Sequence, residues 1–138
     1  MARNVFILVR GTQCAEGGEE SVSTLRCDGT LERRADGWRI VYEERTEEGV
    51  VNAELLLLPR RAALTRTGAV RCRMLFGLGE RRSASYALPF GRLPLETELL
   101  DYTVQLDESG GSAALDYRLF SQGAELSRNR LTLELTPR

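Results

Sequence analysis

Apolar and polar residues alternate with a period of two along most of the chain. The alternation is clearest over residues 38–43 and 70–76, and it returns over 115–119 and 131–135. This pattern is typical of β-strands that bury one face and expose the other to water. Glycine-containing turns separate the alternating runs, and no helical stretch of any length lies between them. Regular strand and turn spacing of this kind favours an all-β barrel or sandwich.

The pattern predicts one antiparallel β-barrel domain over residues 1–138, because no linker, repeat or low-complexity run divides the chain. About ten strands are expected, near residues 3–15, 20–35, 38–46, 50–58, 62–67, 69–76, 81–88, 92–107, 112–121 and 124–136. Asp36-Gly37 lies between two alternating runs and predicts a type I′ turn, in which both central residues have positive φ.

Two strands change phase, which is the effect of a β-bulge. Apolar residues fall on odd positions over 93–97 but on even positions from Leu100 to Leu106, and the last strand changes phase before Leu131. Bulges are therefore expected near Leu99 and near Arg128–Asn129. Bulges bend long strands around small barrels, so these phase changes favour a closed barrel over a flat sandwich.

The same phases predict which side chains point into the barrel. The predicted inward set is Trp38, Ile40, Tyr42, Met74, Phe76, Tyr86, Leu100, Tyr102, Leu115 and Tyr117. Barrels of about eight or more strands are either filled by such side chains or enclose one small ligand. The sequence leaves both alternatives open.

Composition excludes several kinds of chemistry. The chain has no histidine, and its 19 basic residues are all arginine. Ser-His-Asp catalysis, histidine-ligated zinc, Schiff-base lysines and P-loop phosphate binding are therefore ruled out. Neither a metal nor another cofactor is predicted. The three cysteines, Cys14, Cys27 and Cys72, lack metal-site spacing and fit the reducing cytoplasm, where thiols stay free. No segment is apolar for long enough to be a membrane span, so no membrane association is expected.

Glu43 and Glu44 form the first candidate site, as a general acid and base pair. Adjacent strand residues point to opposite faces, so only Glu44 shares the inward phase of Trp38, Ile40 and Tyr42. A buried carboxylate needs a cation, and Arg66 or Arg128 is the expected partner. The alternative is that Glu44 lies at the barrel mouth and is simply solvated.

The arginine-rich middle of the chain is the second candidate. It contains Arg60, Arg61, Arg66, Arg71, Arg73, Arg81 and Arg82, with Glu80 as the lone acid. Such a face can bind phosphates or an acidic partner. Alternation disperses these arginines, however, and acids on other strands (Glu96, Glu98, Asp101 and Asp107) can pair with them across strands. A solvated charged face is the favoured interpretation, and nucleic acid is not expected as a partner.

Three segments resemble a known family. Residues 64–71, Phe76 and residues 86–97 resemble the YwiB-like family of small bacterial proteins, with Val41-Tyr42-Glu43-Glu44, Gly49 and Asp116-Tyr117 also fitting its pattern. The resemblance covers nearly the whole chain. It implies a calycin-like (lipocalin-like) barrel of about eight to ten strands and a domain of unknown function, with no catalytic residue to carry over. Gly68 and Gly91 match the pattern, and turn geometry explains them.

The leading hypothesis is a binding module for a small apolar or amphipathic ligand in the barrel interior or mouth. The candidate ligand-binding residues are Tyr42, Glu44, Arg66, Tyr86, Tyr102, Tyr117 and Arg128. The alternative is an interaction protein that binds an acidic partner through the arginine-rich outer face or an open sheet edge. An enzyme ranks last, because the strand phases supply only one inward carboxylate. The oligomeric state is left open, a dimer included.

Overall fold

The computed structural model describes residues 1–15 and 17–138, and ten β-strands account for most of them. The strands are β1 (Ala2–Ala15), β2 (Glu20–Arg34), β3 (Gly37–Thr46), β4 (Gly49–Leu58), β5 (Arg61–Gly68), β6 (Cys72–Gly77), β7 (Arg81–Leu88), β8 (Gly91–Asp107), β9 (Gly110–Ser121) and β10 (Ala124–Pro137). No helix long and apolar enough to cross a membrane is found in this part of the chain.

Each strand pairs antiparallel with the next strand in sequence, and β1 pairs antiparallel with β10 to close the ring. The predicted all-β antiparallel barrel is confirmed. Closure also corrects one hypothesis: among the described strands every one has two neighbours, so no open edge is left to bind a partner.

Both predicted bulges exist, but each differs in detail from the prediction. The register of β8 against β9 shifts between Leu99 and Asp101, so Leu100 is the extra residue and is exposed, whereas Leu99 is fully buried. The inward assignment of Leu100 is therefore wrong. In β10 the shift lies between Glu125 and Ser127, earlier than predicted. The first inward residues after that shift are polar, so a pattern of apolar residues does not reveal which positions point inward there.

The turn before β3 also differs from its prediction. Neither Asp36 nor Gly37 has positive φ, so the type I′ assignment is wrong. Gly37 is instead required by close packing, because a Cβ there would collide with the carbonyl oxygen of Leu57 on β4. The turn explanation does hold for Gly68 and Gly91, whose φ angles are 101° and 143°.

The middle of the barrel is filled with side chains. Inward residues of many strands form one apolar cluster, and its largest members are almost completely buried: Ile7, Leu31, Ile40, Leu55, Leu57, Phe76, Leu99, Leu115 and Leu133. Large aliphatic and aromatic groups from opposite walls meet here, so this part of the interior has no room for a ligand.

One end of the barrel is closed by the β8–β9 hairpin. The Tyr102 hydroxyl lies 2.8 Å from the carbonyl oxygen of Leu58 and 3.2 Å from that of Arg61, so it holds the β4–β5 turn. Glu108 at the hairpin tip forms a 3.2 Å ion pair with Arg33 of β2. We call this the closed end. The bulge at Leu100 allows β8 to bend, because a bulge increases local twist and curvature.

The β6–β7 turn completes the closed end. The amide of Leu78 donates to the carbonyl of Arg60 at 2.9 Å, and the amide of Gly79 donates to that of Leu99 at 3.0 Å. Leu78 packs against the apolar cluster. The buried Thr97 hydroxyl donates to the carbonyl of Leu75 at 2.5 Å and so links β8 to β6 directly. Three strand connections are thus fastened together at this end.

Candidate functional site: the barrel mouth

The opposite end of the barrel, which we call the mouth, holds a cavity of about 390 Å³ that is open to solvent. Eight strands contribute to its wall. The residues that line it include Val9, Gln13, Ser21, Ser23, Tyr42, Glu44, Leu64, Arg66, Met74, Tyr86, Tyr117, Asn129 and Leu131. The interior of this barrel is therefore filled at the closed end and hollow at the mouth.

The mouth cavity is amphipathic along its depth. Toward the apolar cluster its wall is made by aliphatic and thioether side chains, namely Val9, Leu64, Met74 and Leu131. On β5 and β10 the next inward position toward the mouth is polar, as with Arg66 after Leu64 and Asn129 before Leu131. Because inward positions recur every two residues, this change of chemistry places an apolar floor below a polar rim.

Glu44 and Arg66 form an ion pair at that rim. Arg66 Nε lies 3.0 Å and Nη2 2.8 Å from the same oxygen, Oε2 of Glu44. The two side chains are only 19% and 23% exposed. Burial acts to lower the pKa of Arg66, but the adjacent Glu44 carboxylate more than offsets it, and the pKa lies above its ordinary value. Arg66 therefore remains charged, and of the two expected partners the structure brings Arg66 to Glu44.

The pair has unused hydrogen-bonding capacity. Within residues 1–15 and 17–138, Glu44 Oε1 and Arg66 Nη1 make no hydrogen bond, since both nitrogen contacts converge on Oε2. One acceptor and one donor therefore stand side by side at the rim.

Three tyrosines also reach the cavity. The hydroxyls of Tyr42 and Tyr117 have no hydrogen-bond partner among the described residues, yet neither is sealed from solvent. The Tyr86 hydroxyl lies 3.9 Å from Met74 Sδ, which is a weak acceptor. Burial raises the pKa of all three phenols, and the Glu44 carboxylate adds to the effect at Tyr42. They are neutral donors at physiological pH.

Two predicted site residues lie elsewhere. Tyr102 points inward as predicted, but it belongs to the closed end, where its hydroxyl is engaged by the β4–β5 turn. Arg128 is exposed and has the outward phase of β10, because the bulge precedes it rather than falling beside it. Neither residue lines the mouth cavity, so the structure does not bring these two candidates together with Tyr42 and Glu44.

Sequence reasoning missed the small polar side of the mouth. Gln13, Ser21, Ser23 and Asn129 also line the cavity, and Asn129 Nδ2 donates to Ser127 Oγ at 3.0 Å. A signal was present in β1, where the odd phase of Val5, Ile7 and Val9 continues through Gly11 to Gln13. Continuing the inward phase of β1 past Val9 therefore predicts Gln13 at the mouth.

The outer face separates the arginines of the middle segment into two groups. Arg61 and Arg82 pair with Glu80, and Arg81 pairs with Glu96 at 3.8 Å. Of these pairs only Arg81–Glu96 is one of the expected cross-strand pairs, because Glu80 lies in the β6–β7 turn. Arg71 and Arg73 have no acidic partner in the described part of the chain.

A closed, ten-stranded antiparallel β-barrel with one closed end and a cavity at the other defines the class of this protein. The family model described as Domain of unknown function (DUF1934) matches residues 7–133, and the chain belongs to that family.

The crystal structure of the ywiB protein from Bacillus subtilis is similar, with a TM-score of 0.83 at 22% identity. The match covers 96% of this chain and 92% of that one. It shows the fold, and it confirms the resemblance to the YwiB-like family. Among curated proteins no match was found.

Proposed function

We propose that this barrel binds one small, neutral or zwitterionic amphipathic molecule in its mouth. The observation that supports this most directly is the cavity of about 390 Å³ on which uncommitted donors and acceptors converge. Ligand sites typically occupy roughly 300–1,000 Å³, are mostly apolar and place a few polar groups to orient the ligand. The mouth has this size and this division of chemistry.

The layering of the cavity argues for the orientation of the ligand. An apolar part would lie on Leu64, Met74 and Leu131, where Tyr42 and Tyr117 offer hydroxyl donors along its side. A polar group would lie at the rim, where it can accept from Arg66 Nη1 and donate to Glu44 Oε1. The ion pair has no net charge, so it favours a group carrying both a donor and an acceptor over a simple anion or cation.

Binding fits this lining better than catalysis does. Glu44 is the only carboxylate among the described residues of the cavity wall, and the chain has no histidine. General acid–base chemistry commonly uses two titrating groups held near one another. We therefore infer a binding protein, and the three unpaired thiols lead us to propose the cytoplasm as its location.

A blocking variant with a matched control tests the site. Ser23 lines the cavity, whereas its neighbour Thr24 is exposed on the outside of β2. Titration with the neutral fluorescent amphiphile N-phenyl-1-naphthylamine should show one saturable site in the wild type and in Thr24→Trp. Ser23→Trp should lose that site, because the indole fills the mouth. No saturable binding by the wild type, or unchanged binding by Ser23→Trp, would contradict the proposal.

A second comparison identifies the polar contacts and the natural ligand. Arg39 forms an ion pair with Glu54 on the outer face, with Nε 2.8 Å and Nη2 2.7 Å from Oε2, and so resembles the mouth pair in geometry. Native mass spectrometry of freshly purified protein should show the same bound mass on the wild type and on Arg39→Gln, and less of it on Arg66→Gln. If Arg66→Gln retained as much of the bound molecule as the wild type, the ion pair would not be part of the binding site.

A further inference from the structure

A second concave surface lies on the outside of the barrel near the mouth. It is a groove of about 310 Å³ across strands β5 to β8. Its polar lining includes Thr65, Ser85 and four arginines; Arg66 is paired with Glu44 at the mouth, whereas Arg71, Arg73 and Arg92 have no ion pair in the described part of the chain. No carboxylate is among its described lining residues. We call it the arginine groove.

The register of the sheet explains why these arginines lack acidic partners. Arg73 lies opposite Thr65 on β5 and opposite Ser85 on β7. Arg92 lies opposite Ala87, whose amide donates to the carbonyl of Arg71 at 2.9 Å. Every cross-strand neighbour of these three guanidinium groups is thus uncharged, and none of the three has an ion pair in the described part of the chain.

Several other arginines of the outer face have acidic partners. Arg61 and Arg82 share Glu80, Arg118 lies between Glu98 and Glu125, and Arg130 pairs with Asp116 at 3.0 Å. A protein of net charge −1 with acids on most of its strands nevertheless leaves three arginines without ion pairs together in one concavity. Like charges held close together repel, so the groove is electrostatically favourable for an anion and unfavourable when empty.

We propose that the arginine groove binds the phosphate group of a small phosphate monoester. Guanidinium groups pair with phosphate oxygens through two parallel hydrogen bonds, which makes arginine well suited to this anion. Thr65 and Ser85 provide neutral hydroxyl donors, and Arg92 Nη1 is already held 3.3 Å from Ser85 Oγ.

Acids on both sides of the groove restrict the partner to something small. Glu54 of β4 lies opposite Thr65 of β5, and Glu96 of β8 lies opposite Ser83 of β7. Both carboxylates are already paired with arginines, so an extended polyanion such as a nucleic-acid strand finds no free cation there on leaving the groove, whereas one phosphate group stays within it. The groove shares Arg66 with the mouth cavity, and its test uses Arg73 and Arg92, which line only the groove.

The test is a titration of ¹⁵N-labelled protein with phenyl phosphate at fixed ionic strength, followed by amide chemical shifts. Saturable shifts are expected at the groove residues, with benzyl alcohol giving none. Arg73→Gln and Arg92→Gln should each weaken binding by about tenfold or more, as expected for a lost hydrogen bond between charged groups. Arg128→Gln is the matched control, since Arg128 is exposed and has no ion pair in the described part of the chain; its affinity should stay within about twofold of the wild type.

Several results would overturn the proposal. Shifts spread equally over arginines outside the groove would show general charge attraction. Affinity unchanged in both Arg73→Gln and Arg92→Gln would exclude the groove. Binding of single-stranded DNA or of phosphatidic-acid vesicles, with no saturable response to phenyl phosphate, would assign the surface to a macromolecule or a membrane. Because these arginines are exposed, near-ultraviolet circular dichroism of each variant should match the wild type and so confirm folding.

Discussion

The two ends of this barrel are built from the same strands but treat their polar groups in opposite ways. At the closed end the Tyr102 hydroxyl contacts two backbone carbonyls, and the buried Thr97 hydroxyl donates to a third. At the mouth the hydroxyls of Tyr42 and Tyr117 have no partner among the described residues. The hydroxyl groups of Tyr102 and Thr97 hold the closed end together, whereas those of Tyr42 and Tyr117 are not engaged by the described residues.

The largest difference should appear on removing a phenyl ring. Phe76 is 1% exposed and contacts the ring of Tyr117 edge-on, at 4.8 Å between centroids, below the mouth. Phe76→Ala should lower the free energy of unfolding in urea by about 3–5 kcal/mol, because the packed interior cannot collapse around the lost ring. Phe90→Ala removes the same group from a side chain that is 87% exposed, and it should change the free energy of unfolding by less than about 0.5 kcal/mol. Similar values for both would mean that the interior is not packed as described.

Alkaline pH should act on the tyrosines of both ends. All four tyrosines of the chain have raised pKa values; burial raises the pKa of Tyr102 to about 12. Tyrosines in the unfolded chain ionise near pH 10, whereas those in the folded protein stay neutral. Stability should therefore be fully present below pH 10 and decrease between pH 10 and 12. Phenolate absorbance should rise together with loss of the β-sheet signal; ionisation near pH 10 in the folded protein would contradict the burial.

Loss of the mouth cation should have a smaller effect on stability. Arg66→Gln leaves the Glu44 carboxylate partly buried without its partner and should cost about 1–2 kcal/mol, below the value for a fully buried pair. Arg39→Gln breaks the more exposed outer pair and should cost roughly 0.5 kcal/mol. Urea unfolding of both variants measures the difference, and equal costs would show that burial does not distinguish the two pairs.

Removing single hydroxyl groups gives the smallest and most direct comparison of the ends. Tyr102→Phe should cost about 1 kcal/mol, because the β4–β5 turn loses its donor. Tyr117→Phe removes a hydroxyl with no partner in the described part of the chain and should change stability by a few tenths of a kcal/mol at most. A larger loss for Tyr117→Phe than for Tyr102→Phe would reverse the assignment of the two ends.

Much of the fold follows from the sequence because inward and outward positions alternate. The phase of Trp38, Ile40 and Tyr42 places Glu44 inward. Because a buried carboxylate needs a cation, this position predicts an arginine partner. Periodicity fails where an inward residue is polar, as at Ser127 and Asn129, since polarity otherwise marks the outer face. It also cannot tell which of Leu99 and Leu100 is the bulged residue, because both are leucine.

The position of the cavity could not be predicted, because it depends on how strand ends are connected. The closed end results from contacts between turns, such as the Leu78 amide with the Arg60 carbonyl, and backbone contacts leave no pattern in side-chain polarity. The arginine groove depends on register in a similar way. Arg73 lies on β6, and only the register of β6 against β5 and β7, which places Thr65 and Ser85 beside it, shows that it has no acidic neighbour.

The pairing of β1 with β10 has a consequence for how the chain is made. Nine of the ten strand pairings join neighbours in sequence and can form as each hairpin leaves the ribosome. The tenth joins residues such as Val5 and Pro137 and must wait until β10 has been synthesised. Until then the nascent sheet has two unpaired edges that can recruit other chains. The interval before β10 pairs with β1 is therefore the period in which unpaired strand edges expose this protein to aggregation.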